Sequence, residues 1–530
     1  MKKNFRMKTA MKGALILSVA SLIAKILSAF YRIPFENIVG NTGFYVYQQI
    51  YPIYGIGMTF ALSGFPMFIS KLIAEQQTKE QKITLSRYLF FILSCFAVLI
   101  FVMLRMFGPA IANSMGDASL VELINSVAWM FLFMPILAVG RGYYQGVFNM
   151  VPTAISQVSE QLVRVIVIIV AAWLFTQRHW TYYHMGAWAM SGATFGAFCA
   201  SLSFVRFYMR DFIHTKTVHV DIDVLTLAKR LITEGFIICL FASLMVLLQL
   251  VDSFTVKQAL QDIGLNSSQA KDIKGTYDRA QPLVQLGMVV AVSFSSTLLP
   301  SLTETLQTHR LNEFRKTARA FMHVSVGLGC AATVGLIVLM PEINTVLFGN
   351  AALSGTISIY MLSIILITLV STYTSILQSL NQFKITIIGL VCAIVVKVGV
   401  NTQLIYHYGI AGASIATVLS LLVAQIVISS SLPSLIKGLV SNNNFMVKLG
   451  ITISIMAIST KLTVKILQHY LFSGRFDELV ITLCGITVGG FVFIICAVLT
   501  KTFTIREWLT IPGGKKLLRF WGNLIGQKRR

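Results

Sequence analysis

Seven ionisable side chains stand in stretches that are otherwise largely apolar: Lys25, Arg32, Glu160, Arg164, Asp252, Arg279 and Lys397. A charge in such surroundings is costly unless it is paired or hydrated, so each marks a candidate functional position. Lys25 and Arg32 are seven residues apart, two helical turns, and project from one face of a helix. Arg164 follows Glu160 by one turn, an i,i+4 spacing at which the two can neutralise each other. Asp252 could pair with Lys25 or Arg32, or carry a coupling proton or sodium ion. Arg279 opens an apolar stretch in TYDRAQPL, beside Asp278. Lys397 has no acid near it in the chain. The set is mainly cationic. It suits an anion such as phosphate or pyrophosphate, which arginine grips bidentately and lysine meets as a point charge. Organic cations would need a site of the opposite sign.

The elements that must hold these residues are membrane spans. Of 530 residues, 56% are hydrophobic and 12% charged, with mean hydropathy +0.76, against about 25% charged in a soluble globular protein. This excludes a cytosolic enzyme, a disordered chain and a disulfide scaffold. A spanning helix takes about 20 apolar residues. About fourteen candidate spans fit, near 11–31, 43–71, 86–106, 121–142, 153–175, 184–206, 233–256, 279–301, 319–340, 355–378, 384–406, 410–432, 446–465 and 478–500. The first follows a basic N-terminus with no small-residue cleavage site, so a retained span is expected.

The net charge of +23 reflects topology rather than nucleic-acid binding. With the N-terminus inside, 30 of the 43 Lys and Arg fall in inside segments, nine outside and four within spans. Positive charge collects on the cytoplasmic side, so both termini are expected there. The seven cysteines lie in apolar runs without metal-ligand or CxxC spacing. The eight histidines are scattered, mostly at span ends, and read as interfacial. No metal or other cofactor is expected.

No GxxxxGK[ST] motif is present, and IPGGKK near Gly513 lacks its spacing. Energy should therefore come from a proton or sodium gradient, the membrane potential or substrate flux. A membrane glycosyltransferase or polymerase would need acidic catalytic residues on a sizeable outer loop. The longest outer segment, 257–278, mixes Asp262, Asp272 and Asp278 with Lys257, Lys271 and Lys274 and reads as an amphipathic, polar surface loop. No catalytic residue is assigned.

The chain also resembles itself at a shift of about 232 residues. Gly43, Tyr45, Gln49, Gly55 and Ser63 match Gly275, Tyr277, Gln281, Gly287 and Ser295. Pro66 matches Pro300, Gln145 matches Gln378, and Arg164 matches Lys397. The repeat unit holds six spans, an even number, so the two copies share one orientation, as in parallel-repeat transporters. The expected organisation is an N-lobe over 1–210, a cytoplasmic linker over 211–232, a C-lobe over 233–435, and two further helices with a basic tail over 436–530. Two facing bundles imply alternating access around a central cavity, with Arg164 and Lys397 at matching registers.

The runs MKGALILSVASLIAKILSAFYRIPFENIVG, GIGMTFALSGFPMFISKLIAE, TYDRAQPLVQLG and TLLPSLTE resemble the stage V sporulation protein B type. That is the polysaccharide-biosynthesis branch of the multidrug/oligosaccharidyl-lipid/polysaccharide (MOP) exporter superfamily, and the likeness extends over nearly the whole chain. More distantly, the chain is similar to the MurJ lipid II flippases. The resemblance implies an all-α, MATE-like integral membrane fold in the bacterial plasma membrane, with two six-helix lobes and two added helices. It also implies export of an anionic, polyprenyl-pyrophosphate-linked sugar. Membrane lipids and cell-wall synthesis enzymes are the implied partners, and a cation-coupled multidrug antiporter of the same superfamily is the alternative.

By the same resemblance Lys25 takes the place of a basic residue in the middle of the flippases' first helix. Arg32 takes that of an arginine near its end, and Arg279 that of a substrate contact opening helix 8. A groove along the later helices for the lipid tail is likewise implied. The arginine pair that those flippases carry in helix 2 after a proline is Ile56-Gly57 here, following Pro52. That departure admits a different lipid-linked glycan.

Overall fold

The computed structural model describes residues 2–218, 223–293, 302, 310–380, 382–433, 436–439, 444–470, 474–510 and 514. Among them every regular element is helical, so apolar runs satisfy their backbone groups internally, as lipid requires. In chain order the helices are α1 (Lys2–Phe30), α2 (Arg32–Thr59), α3 (Phe65–Glu75), α4 (Lys79–Ser114), α5 (Val121–Ala128), α6 (Met134–Gly146), α7 (Val151–Arg178) and α8 (Tyr182–Leu202). There follow α9 (Val224–Arg230), α10 (Phe236–Ala242), α11 (Leu244–Asp262), α12 (Ser267–Asp278) and α13 (Ala280–Ser293). The rest are α14 (Leu311–Val338), α15 (Met340–Phe348), α16 (Ser354–Ser379), α17 (Phe383–Tyr408), α18 (Ala411–Ser430), α19 (Phe445–Tyr470), α20 (Arg475–Leu499) and α21 (Ile505–Thr510).

Among the described residues ten helical stretches are long and apolar enough to cross a membrane. An eleventh is the broken span Val224–Ala242 plus Leu244–Asp262, bent by 71°. The expected fourteen are not established on this measure, for three reasons. Ile16–Glu75 counts as one run of 60 residues, although Gly40, at φ 72, breaks α2 into two helices. The uncharged α8 is diluted by small residues. The expected span 279–301 extends beyond the described residues, outside which Ser295, Pro300 and most of the TLLPSLTE run also lie. The same holds for residues 219–222 of the linker and most of the basic tail.

The chain divides into two compact units. The first comprises Met1–Asp278 and Asn401–Ala413, the second Arg279–Val400 and Ser414–Arg530. This packing boundary falls beyond the 211–232 linker because α11 and α12 pack on α2. Gln49 Nε2 donates to the Ser253 carbonyl at 2.5 Å. A Cβ on Gly55 would lie 2.8 Å from Val246, and one on Gly275 only 2.0 Å from the Asn41 carbonyl oxygen. The segment 257–278 is therefore not a polar surface loop. Its C-terminal part is a docked helix, with Lys274, Gly275, Thr276, Tyr277 and Asp278 buried.

Two features of the first unit bear on the candidate site. α7 and α8 form a tight hairpin through Gly192 and Gly196. A Cβ at these positions would lie 3.0 Å from the Arg164 carbonyl oxygen and 2.6 Å from that of Glu160. Small residues one turn apart let helix backbones approach this closely. Between α2 and α3 a π-helical turn, Phe60–Gly64, leaves the Ala61 carbonyl to accept from Arg141 Nη1 at 3.1 Å.

In the second unit His323 on α14 is buried rather than interfacial. Its ring nitrogens face Glu507 Oε1 at 2.8 Å and the Leu439 carbonyl at 3.0 Å. It also stacks on Phe445 with centroids 3.9 Å apart. It thus fastens α21 and the start of α19 to α14.

Candidate functional site

The first unit holds two guanidiniums, each about 1% exposed, among four tyrosines. Arg164 on α7 donates through Nη2 to the hydroxyls of Tyr31 and Tyr47, both at 2.8 Å. Through Nη1 it donates to Tyr54 at 2.8 Å and Gln161 Oε1 at 3.2 Å. Its Cζ lies 3.8 Å from the Tyr54 ring centroid. Arg32, opening α2, places its Cζ 4.1 Å from the centroid of Tyr51. Its Nε and Nη2 are buried without a hydrogen-bond partner. Tyr51 and Tyr31 lie beside both cations, so the two arginines share one aromatic wall.

Among the described residues neither arginine makes an ion pair, and several nearby acids are engaged elsewhere. Glu160 is not the partner of Arg164: it takes Arg141 Nη2 at 2.5 Å, while Ser156 holds the rest of that guanidinium. The reason is geometric. Arg164 reaches out to Tyr31, between α1 and α2, and to the tyrosines of α2, and Arg141 enters from α6. Asp117 pairs with Lys271 at 3.0 Å, and Asp278 with Lys274 at 2.7 Å. Asp252 does not pair with Lys25 or Arg32; it accepts from Asn401 Nδ2 at 3.1 Å and the Tyr277 hydroxyl at 3.2 Å. Lys25, on α1 and seven residues before Arg32, is exposed.

The tyrosines were not singled out from the sequence, though Tyr47, Tyr51 and Tyr54 recur at i, i+4 and i+7, one face of a helix. Gly192 and Gly196, a GxxxG pair in α8, are a second such signal.

In the second unit Arg279 donates through Nη1 to Asn350 Oδ1 at 2.8 Å and to Asn344 Oδ1 at 3.5 Å, with Phe348 beneath its Cζ at 5.0 Å. Lys397, fully buried, donates to Thr417 Oγ1 at 2.7 Å. Its setting is unlike the tyrosine cage of its repeat mate Arg164. Among the described residues no group of three or more His, Cys, Asp or Glu could hold a metal. A shallow pocket of about 540 Å³ lined by Phe175, Trp180, Tyr182 and Tyr183 includes none of the candidate residues.

Asp278, on α12 between spans, gives a pH prediction. Burial pushes its carboxyl up to about 6, against the pull of the Lys274 charge and with Asp252 adding to the rise. In an unfolded chain an aspartate titrates near 3.9. The folded state therefore holds this proton more tightly, and stability falls as pH rises from about 4 to about 6. Asp278→Asn should lose that slope. Thermal unfolding followed across the window checks this, and an unchanged slope in the variant would contradict it.

The chain as a whole has counterparts among known proteins. A family model described as polysaccharide biosynthesis protein matches residues 10–306. The chain is 34% identical over 520 residues to the uncharacterized membrane protein YabM of Bacillus subtilis (strain 168), with 96% of each chain covered. It is 26% identical over 520 residues to the lipid II flippase MurJ of the same organism, covering 92% of this chain and 94% of that one. Among solved structures, the lipid II flippase MurJ in an inward closed conformation aligns with TM-score 0.68 at 15% identity, over 92% of this chain and 99% of that one. An inward-facing multidrug resistance MATE family transporter of the MOP superfamily aligns with TM-score 0.62 at 15% identity, over 78% and 96%. The two structural matches establish the all-helical fold that the chain shares with these transporters. The family match and the 34% identity to YabM establish the rest: the chain belongs to the polysaccharide biosynthesis protein family.

Proposed function

We propose that this multi-pass membrane protein is a transporter, not an enzyme. It moves a polyprenyl-pyrophosphate-linked sugar, lipid II or another lipid-linked oligosaccharide, from the inner to the outer leaflet of the bacterial plasma membrane. The similarity to a lipid II flippase supports this reading. The observation that carries it is Arg32, a buried cation with two unmatched N–H-bearing nitrogens beside a second buried arginine. Unmatched donors on a buried charge are expensive, and a pyrophosphate would satisfy them while reaching the second guanidinium. Lys25, which is exposed, and Arg279 and Lys397 are further candidate substrate contacts. Alternating access, cytoplasmic termini and coupling to a proton, sodium ion or membrane potential belong to the same proposal, as do cell-wall synthesis enzymes as partners.

The test is complementation. In a bacterium depleted of its essential lipid II flippase, this chain should restore outer-leaflet exposure of labelled precursor, and Arg279→Ala at equal abundance should not. Absence of rescue by the wild-type chain, together with ethidium resistance indifferent to Lys25→Ala, would replace this reading with the drug antiporter.

A further inference from the structure

In the second unit two acids, Glu342 and Glu478, make no ion pair among the described residues. Glu342 lies in the first turn of α15 and is 7% exposed. Its Oε1 accepts from Gln468 Nε2 of α19 at 3.2 Å, whereas its Oε2 is buried without a partner. Glu478, in the first turn of α20, likewise has a buried Oε2 without a partner. Glu342 and Asp477 both act on Glu478 as like charges. One turn further along the same face of α20, Thr482 is 5% exposed, and its Oγ1 too has no partner.

The helix register brings the three together. α15 runs antiparallel to α20. At one end a Cβ on Gly485 would sit 2.7 Å from Leu339. At the other, Arg475 donates to the carbonyls of Val346 at 2.9 Å and Leu347 at 3.0 Å. Glu342 therefore lies level with the turn from Glu478 to Thr482. Arg475 is occupied at the C-terminal end of α15. Lys465 and His469 on α19 are exposed.

Two neighbouring carboxylates with buried, unmatched oxygens call for a compensating positive charge. A proton held between them would supply it, and so would a sodium ion, which favours hard oxygen ligands. We propose that Glu342, Glu478 and Thr482 form a binding site for one small cation, a sodium ion or a proton, at the junction of α15 and α20. The site is independent of the cationic cage in the first unit, and its test does not depend on what the protein transports.

The experiment is thermal unfolding of the purified full chain in the Asp278→Asn background, which removes the titration of that carboxyl. Three buffers are compared at equal ionic strength: alkaline choline chloride, alkaline sodium chloride and mildly acidic choline chloride. The expected result is a rise of a few degrees in sodium, which identifies a sodium site, or in acid, which identifies a proton site. Glu342→Gln should abolish the rise. It should also melt no lower than its parent in alkaline choline, because it removes a repulsion. If sodium is the ligand, Thr482→Val should weaken the sodium response and spare any acid response. The proposal is overturned if the parent responds to neither condition, if Glu342→Gln responds undiminished, or if Glu342→Gln melts lower in alkaline choline.

Discussion

Arg32→Met should abolish transport and leave the protein at least as stable as its parent. The reasoning starts from the two guanidinium nitrogens that are buried without a partner. A buried charge that lacks full compensation opposes folding, and an apolar side chain of similar length removes the penalty while keeping contact with the Tyr51 ring. Truncating one partner of a buried, hydrogen-bonded charge pair costs about 2–5 kcal/mol of binding, or roughly 30-fold and more in affinity at 1.4 kcal/mol per decade. Stability gained and function lost in one substitution is the signature of a residue kept for its ligand.

Arg164→Met should differ. It strips the hydroxyls of Tyr31, Tyr47 and Tyr54 of a shared donor, and leaving buried polar groups unmatched costs about 1–3 kcal/mol each where no other partner is found. That variant should melt lower as well as fail to transport. Arg164→Lys should not restore function, because one ammonium cannot reproduce a planar fork reaching three hydroxyls and Gln161. Unfolding curves beside flipping assays on matched membranes decide the matter. Normal transport by Arg32→Met would remove the anion-site reading, and equal destabilisation by both variants would make the cage merely structural.

Much of this arrangement was legible in the sequence because membrane burial makes charge conspicuous. Arg32, Arg164, Arg279 and Lys397 stand out in apolar runs, and the structure buries all four. Lys25 stands out equally and is exposed, because neighbouring helices, not its own span, decide how far that face is covered. Partnerships were less legible. Glu160 lies one turn from Arg164, yet it pairs with Arg141 across nineteen positions. An i,i+4 spacing states which side chains can meet, and the third dimension decides which do. The segment 257–278 was misread for a related reason. Its polarity suggested solvent, but Lys274 and Asp278 neutralise each other, and Gly275 removes the side chain that would keep α12 off α2. The glycines were the missed signal, because they report backbone approach rather than chemistry.

Gly196→Leu should be strongly damaging although it replaces no charged residue. A Cβ at this position already falls 2.6 Å from the Glu160 carbonyl oxygen, and a backbone atom has no rotamer by which to yield. The helices must separate, and overpacking of this kind costs about 1–3 kcal/mol, occasionally more. The separation occurs where α7 carries both Glu160 and Arg164. The ion pair to Arg141 at 2.5 Å and the three tyrosine contacts at 2.8 Å would then have to stretch or break together. The variant should therefore lose transport along with stability, as Arg164→Met does. Combining the two changes should cost less than their sum, since residues that share a displaced element are not independent. Gly355→Leu is the control, because a Cβ there meets nothing within 4 Å. It should leave both stability and transport close to those of the parent. If Gly196→Leu transported normally, the α7–α8 backbone contact could not be what sets the position of Arg164. If its losses simply added to those of Arg164→Met, the hairpin would support the fold without positioning the cage.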